Sequence, residues 1–393
     1  MGQKIHILWI NDNPNFKGGA ENYIFGCVKE LNQRDIKSSV LYDIQPWTSP
    51  DWTKEFSEAY PLVDIEKQLE ALKPDIIYLH NWPGGKILSK ILGCKIPLVR
   101  FIHDSEIFIS KEFKLATFGL KTSYHPEDYK FYFPILRSAQ IIKNWLNYRL
   151  SMLNVGNLNH KQTLNCDKLI CGSRYIKNHL IEHGVDNKKI SIIPPFTGRP
   201  YLSGSQKSQN QILFVGQLVR GKGLDLLLHA LSRITSSKPR LTVCGEGKQK
   251  EELQKLTTYL KLDNQVDFRG LVSKNELTKF YQKSECLVIP SRVPETFCMT
   301  GIEGMAHKIP IVTTSLGGMT EWQTEKNCLT FKENNVQELT IALEKILSDK
   351  ALAEQLSNNA YEDYLKKFQP DLHVEKLLET FNYLIEERKV NHA

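Results

Sequence analysis

Two periods of apolar residues take turns along this chain. Short continuous apolar runs bounded by Gly, Pro, Asn or Asp read as strands, and stretches with apolar residues three and four apart read as helices between them. The predicted strands are Lys4 to Ile10, Ser39 to Ile44, Asp75 to His80, Pro97 to Ile102 and Lys168 to Gly172. After a break come Gln211 to Val215, Arg240 to Cys244, Gln265 to Phe268, Cys286 to Pro290 and Pro310 to Thr314. Helical spacing shows at Tyr23, Ile24, Cys27, Val28 and Leu31, again from Leu224, and in a last amphipathic stretch from Pro370-Asp371 to near Lys389. Apolar strands alternating with helices predict parallel doubly wound sheets, an α/β fold. Ile190 to Pro195 and the polar run Ser203 to Asn210 interrupt the rhythm. They divide the chain into 1–202, 203–370 and a terminal helix, 371–393.

Composition narrows the class. A chain of 393 residues, 41% hydrophobic and 24% charged, can bury two cores. No apolar run approaches a membrane span, and the chain enters a strand almost at once, so a cytoplasmic protein is expected. The eight cysteines are scattered without a CxxC pair or a His at metal-ligand spacing, which favours buried free thiols and no metal site. The net charge of +7 suits an anionic ligand or a membrane surface. No nucleic-acid reading motif accompanies it.

The chemistry concentrates between Glu285 and Glu321. There a strand is followed by a polar loop with Glu295, a short helix from near Met299 carrying Glu303, a second strand and a Gly317-Gly318 turn. Ligands of open parallel sheets sit outside the carboxyl ends of the strands. The free N–H groups and positive end of a helix starting there would face a phosphate, and two carboxylates would suit hydroxyls. By itself a pair of Glu at this spacing reads first as a capped helix with a solvated acid in its first turn. A second phosphate-suited turn is Gly216-Gln217-Leu-Val-Arg220-Gly221-Lys222-Gly223, which lacks both the Walker and the dinucleotide-binding spacing.

The order Glu295-Thr-Phe297-Cys298-Met299-Thr300-Gly-Ile-Glu303, then Met305-Ala306, Pro310 and Gly317-Gly318-x-x-Glu321, resembles the E-x7-E signature of glycosyltransferase family 4. The resemblance implies a GT-B fold, two Rossmann-like domains facing a cleft, and a retaining transferase using a nucleoside diphosphate sugar. It implies that Glu303 binds the ribose hydroxyls and that Glu295 with the 297 to 299 amides binds the sugar. The Gly270 to Val272 backbone would hold the base, and Lys222 the diphosphate. Gln217 stands where the family has a second cation, and Arg220 is the candidate to replace it. Cys298 and Lys308 each stand where the family usually has Gly, Lys308 giving up an easy left-handed cap.

In the first half, Gly18 and Gly19 open a helix after the first strand. They are either a plain tight turn or, as the resemblance implies, a close approach to the donor diphosphate and acceptor. His103-Asp104 ends a strand near the transferred sugar by the same resemblance, and His80-Asn81 is a weaker candidate on the acceptor side. Residues 129–153 mix aromatic, basic and apolar side chains, compatible with peripheral membrane contact on the inner face or with an ordinary packed helix. The reading is metal-independent, cofactor-free transfer from a UDP- or GDP-sugar to a glycan, lipid-linked or small-molecule hydroxyl, with His103, Glu295 and Lys222 as the catalytic candidates. Two alternatives stay open: a catalytically silent nucleotide-sugar-binding partner protein, and a sugar-nucleotide epimerase on the same fold.

Overall fold

The computed structural model describes residues 5–16, 18–44, 48–81, 84–103, 161–198, 210–234 and 238–392, with the backbone alone at 391 and 392. Along the chain run β1 (His6–Asn11), α1 (Gly19–Asn32), β2 (Lys37–Tyr42), α2 (Pro50–Thr53), β3 (Glu58–Pro61), α3 (Ile65–Leu72), β4 (Ile76–Leu79), α4 (Gly85–Leu92), β5 (Leu98–Ile102), β6 (Lys168–Cys171), α5 (Arg174–Glu182) and β7 (Ile190–Ile192). Then come β8 (Gln211–Val215), α6 (Leu224–Leu231), β9 (Arg240–Cys244), α7 (Lys250–Tyr259), β10 (Val266–Gly270), α8 (Lys274–Lys283), β11 (Cys286–Ile289), α9 (Met299–Ala306), β12 (Ile311–Thr313), β13 (Leu329–Thr330), α10 (Val336–Ser348), α11 (Lys350–Lys367) and α12 (Pro370–His392). The chain forms two compact units. One holds the described residues up to Pro195 and those from Pro370 onward, and the other holds Phe196–Gln369.

Each unit is a Rossmann-like α/β layer around one parallel sheet. The first sheet reads β3-β2-β1-β4-β5-β6-β7 and the second β10-β9-β8-β11-β12-β13. Every registered pair is parallel. In both sheets the order reverses beside the first strand, between β1 and β4 and between β8 and β11. Such a reversal opens a crevice at the carboxyl ends of the two strands.

The apolar runs become strands because helices cover both faces. Ile7, Leu8, Trp9 and Ile10 of β1 are all buried, as are Leu213 and Phe214 of β8 and Leu287 and Val288 of β11. The leucine-rich α6 packs with α10 over one face of the second sheet, burying Leu227, Leu228, Leu339 and Leu343. On the other face Ile302, Met305, Trp322 and Tyr364 form a separate core. Burying a Leu or Phe side chain contributes about 1.5–3 kcal/mol, which is what holds these layers together. Helix ends are fixed by caps: Ser273 and Glu276 form a reciprocal capping box at α8, and Asn335 caps α10.

The helix α12 belongs to the first unit. Its buried His373 accepts from Tyr23 of α1 through Nε2 (2.8 Å), Arg34 pairs with Asp371, and Phe381 meets Tyr78 of β4 edge-on. Three strands escaped the sequence reading: β3, whose Glu58-Ala-Tyr-Pro61 is an edge strand with little apolar signal, β7, which lies in the Ile190 to Pro195 stretch read as a break, and the two-residue β13. A further departure is Lys308, which takes a left-handed conformation (φ 55°) despite its side chain, so the cap is kept there. Asp104, 129–153 and most of the Ser203 to Asn210 run lie outside the described residues. Among the described residues no helix is long and apolar enough to cross a membrane.

Candidate functional site

The crevice of the second unit is built on two turns. After β8 the chain makes a short 3-10 turn at Arg220–Lys222, and Gly223 then enters α6 with φ 70°. A β-carbon at Gly223 would lie 2.0 Å from the carbonyl oxygen of Pro290, so only glycine lets this turn sit against the loop that follows β11. Arg292 on that loop clamps the contact. Its guanidinium pairs with both carboxylate oxygens of Asp225 (2.5 and 2.6 Å) and donates to the Arg220 carbonyl (3.1 Å) and to Asn334 Oδ1 (2.7 Å). Its main-chain N–H donates to the Gly221 carbonyl (2.8 Å).

Across this junction Lys222 Nζ meets Glu295 Oε1 at 2.6 Å, bridging the two strands where the sheet order reverses. The buried Ser291 hydroxyl donates to the same oxygen at 2.7 Å. Behind the carboxylate, the Glu295 main chain bridges to Gly317 and accepts from the Gly318 N–H at 2.7 Å. Burial pulls the Lys222 ammonium down, but the Glu295 carboxylate beside it outweighs that and holds its pKa above the ordinary value. Lys222 is therefore a cation at neutral pH, half-buried and held in place.

Next to this pair α9 begins. Cys298 precedes it in the left-handed region (φ 70°, ψ 79°) without a side-chain cap, and the Met299 and Thr300 amides have no acceptor among the described residues. That leaves the positive end of the helix open to an anion. Burial, with the Glu295 charge adding to it, pushes the Cys298 thiol up to about 12, so it stays protonated and unreactive. Phe297 is buried, and its carbonyl accepts from Trp322 Nε1 at 2.9 Å. One turn into α9, Glu303 Oε2 accepts from the Tyr281 hydroxyl at 2.8 Å. Burial raises the Glu303 carboxyl, and the Tyr281 bond and the more distant Lys274 offset only part of that.

The predicted residues divide between the units. Lys222, Glu295, Phe297, Cys298, Met299, Thr300 and Glu303 gather at the crevice of the second sheet. Val272 follows β10 on the same edge, half-buried beside the exposed Leu271. Gln217 and Arg220 are exposed, and neither side chain has a partner among the described residues. Gly18, Gly19 and His103 belong to the first unit. There Gly18 is extended (φ −160°) and a side chain at Gly19 would meet nothing within 4 Å, so neither glycine is required by its own unit's packing. His103 Nε2 lies 2.7 Å from Nδ1 of the buried His80, whose pKa burial and the neighbouring imidazole drive well below the ordinary value. Asn81 spans the β1/β4 reversal, donating to Asn11 (2.7 Å) and Asp12 (2.5 Å). Sequence reasoning missed Arg292, Ser291 and Tyr281. The first two sit inside the motif stretch and could have been weighed there; Tyr281 carries no local signal.

Comparison with known proteins agrees with this geometry. The family described as Glycosyl transferases group 1 matches residues 203–363, and Glycosyltransferase Family 4 matches residues 17–197. An uncharacterized glycosyltransferase of Methanocaldococcus jannaschii is 26% identical over 356 residues, 86% of this chain and 83% of the relative. Among solved structures, a glycosyltransferase from Rickettsia africae superposes with a TM-score of 0.75 at 17% identity, covering 98% of this chain and 99% of its own. Anabaena HepE, in complex with UDP and glucose, gives 0.72 at 17% identity, covering 96% and 99%.

Proposed function

From its membership of the glycosyl transferases group 1 family, of the family 4 type, we propose that this chain moves a sugar from a UDP- or GDP-sugar to a hydroxyl of a glycan, lipid-linked or small-molecule acceptor. The transfer retains the anomeric configuration and needs no divalent metal. The observation that carries this reading is the Lys222–Glu295 pair at the β8/β11 reversal, set against the open start of α9.

In this reading Lys222, the Met299 and Thr300 amides and the exposed Arg220 take the negative charge of the diphosphate, with Gln217 as an uncharged contact. Glu295 and the 297 to 299 amides hold the sugar, Glu303 the ribose, and the Val272 loop the base. Gly18, Gly19 and His103 serve the acceptor and the transferred sugar. The bond from the anomeric carbon to the phosphate oxygen breaks and a new bond to the acceptor oxygen forms on the same face. The acceptor proton passes to the departing phosphate oxygen, whose charge the ammonium and helix end stabilise. The fold shared with a protein crystallised with UDP and glucose supports trying UDP-glucose first.

The test is a panel of UDP- and GDP-sugars in EDTA, read by thermal shift and by nucleotide release. One donor should stabilise the protein. Lys222→Ala should weaken that donor roughly ten- to hundredfold, the value of about 1.5–3 kcal/mol for a hydrogen bond to a charged group. Stabilisation without turnover on any acceptor would favour the silent-binder alternative, which Gln217 and Cys298 motivate. No response to any donor would overturn the proposal.

A further inference from the structure

We infer that Tyr281 is a positioning residue for the donor site: its hydroxyl holds one oxygen of Glu303 and turns the other toward the ligand. The inference rests on the reading above, in which Glu303 meets the donor ribose. A carboxylate offers two oxygens, and a free one could present either to a diol in several rotamers. Here Oε2 is committed to the Tyr281 hydroxyl at 2.8 Å, and Oε1 makes no hydrogen bond among the described residues. The phenol ring is itself fixed, only 1% exposed, with the His307 imidazole stacked on it (centroids 4.5 Å apart, planes at 16°).

His307 closes the arrangement from the main-chain side. Its Nδ1 lies 2.8 Å from the Glu303 carbonyl oxygen, which can only accept, so Nδ1 carries the proton. Burial lowers the His307 pKa and keeps the ring neutral. Tyr281 thus grips the carboxylate, His307 grips the backbone of the same residue, and the two rings brace each other. Because α8 supplies Tyr281, while α9 supplies Glu303 and His307 caps its end, the grip fixes Glu303 to a neighbouring helix as well as its own. Pre-organised groups bind more tightly because no rotamer freedom is lost on binding.

A hydroxyl that donates to a carboxylate also favours its charged form. The titratable and charged groups facing Glu303 are Tyr281 and Lys274 from α8, the Cys298 thiol just before α9, and His307 at its C-terminal end. Among the described residues only Tyr281 donates a hydrogen bond to the carboxylate. Tyr281→Phe keeps the ring, its stacking and the fold, and removes that one bond.

The experiment is calorimetric titration of the native protein, Tyr281→Phe and Glu303→Gln with UDP, and with GDP in parallel, from pH 5 to 8. Tyr281→Phe should weaken the nucleotide about tenfold, and the acid side of its affinity profile should move to higher pH, while the thermal melt without ligand stays close to native. If Glu303→Gln loses binding but Tyr281→Phe matches the native protein in affinity and profile, the positioning role is wrong and the donor reading stands. If Tyr281→Phe weakens binding with its pH profile unmoved, the role is packing alone and the inference also falls. If Glu303→Gln binds like the native protein, or no nucleotide binds, the donor reading fails and takes this inference with it.

Discussion

Acid should loosen the first unit through one imidazole. His373 of α12 has Nδ1 2.8 Å from the Pro194 carbonyl and Nε2 2.8 Å from the Tyr23 hydroxyl, which in turn lies 3.1 Å from the Tyr78 hydroxyl. A carbonyl only accepts, so Nδ1 bears the hydrogen, Nε2 accepts from Tyr23, and Tyr78 donates to Tyr23. Burial lowers the His373 pKa from 6.5 to about 4, with the nearby Lys376 charge adding to it and the Pro194 bond opposing it. Between pH 6.5 and about 4 the unfolded imidazole holds a proton that the folded one refuses. Stability is therefore intact above that window and falls as pH drops through it. At 1.36 kcal/mol per unit, the loss between pH 7 and pH 4 comes to about 3 kcal/mol. His80, also buried with a depressed pKa, contributes with the same sign, so the His373 share must be isolated by difference. His373→Gln keeps an acceptor for Tyr23 and removes the titration. Urea unfolding at both pH values should show the native advantage over this variant shrinking by about 3 kcal/mol on acidification. Parallel losses in the two proteins, or an NMR titration placing His373 near 6.5, would refute the reasoning.

Three further outcomes follow from the second unit. Arg292→Ala leaves the Asp225 carboxylate without its partner and should lower stability by about 2 kcal/mol in chemical denaturation, less than for a fully buried pair because Asp225 is a third exposed. Arg292→Lys, which cannot reproduce the fork, should recover only part of that stability. Cys298→Gly relieves a β-carbon in left-handed backbone and should raise the thermal midpoint by the equivalent of up to about 1 kcal/mol. In the native protein the same thiol should resist alkylation at pH 8. At Gly301→Ala the new carbon would fall 2.3 Å from the Trp322 ring, and the forced shift should cost about 2 kcal/mol and displace the neighbouring start of α9, seen as a lower melt and weaker nucleotide binding.

Much of this was legible in the chain. Strands buried on both faces write their own continuous apolar runs, so β8 and β9 were bounded to the residue, and the start of α9 at Met299 was visible from the turn before it. The edge strand β3 leaves no such run, because its side chains stay half-buried or exposed. The Glu295 and Glu303 positions stood out because they share one short stretch. Arg292 lies in that stretch too, but its role, like that of Tyr281, depends on a contact far along the chain, 67 residues away for Arg292 and 22 for Tyr281. Periodicity reports which face of an element is buried. It does not report which polar atom a distant residue will meet.

At the rim of the second sheet, successive turns press main chain against main chain. A β-carbon at Gly245 would fall 1.9 Å from the Gly216 carbonyl oxygen, and one at Gly247 would fall 2.4 Å from that of Leu218. The shape of the cradle is thus encoded in atoms that every residue shares, while Gln217, Arg220 and Leu271 project from it into solvent. For protein engineering this separates two kinds of position. A library that randomises the three projecting side chains can search for new donor preferences at little risk to folding, whereas one that touches the glycines beneath them would mostly return insoluble protein.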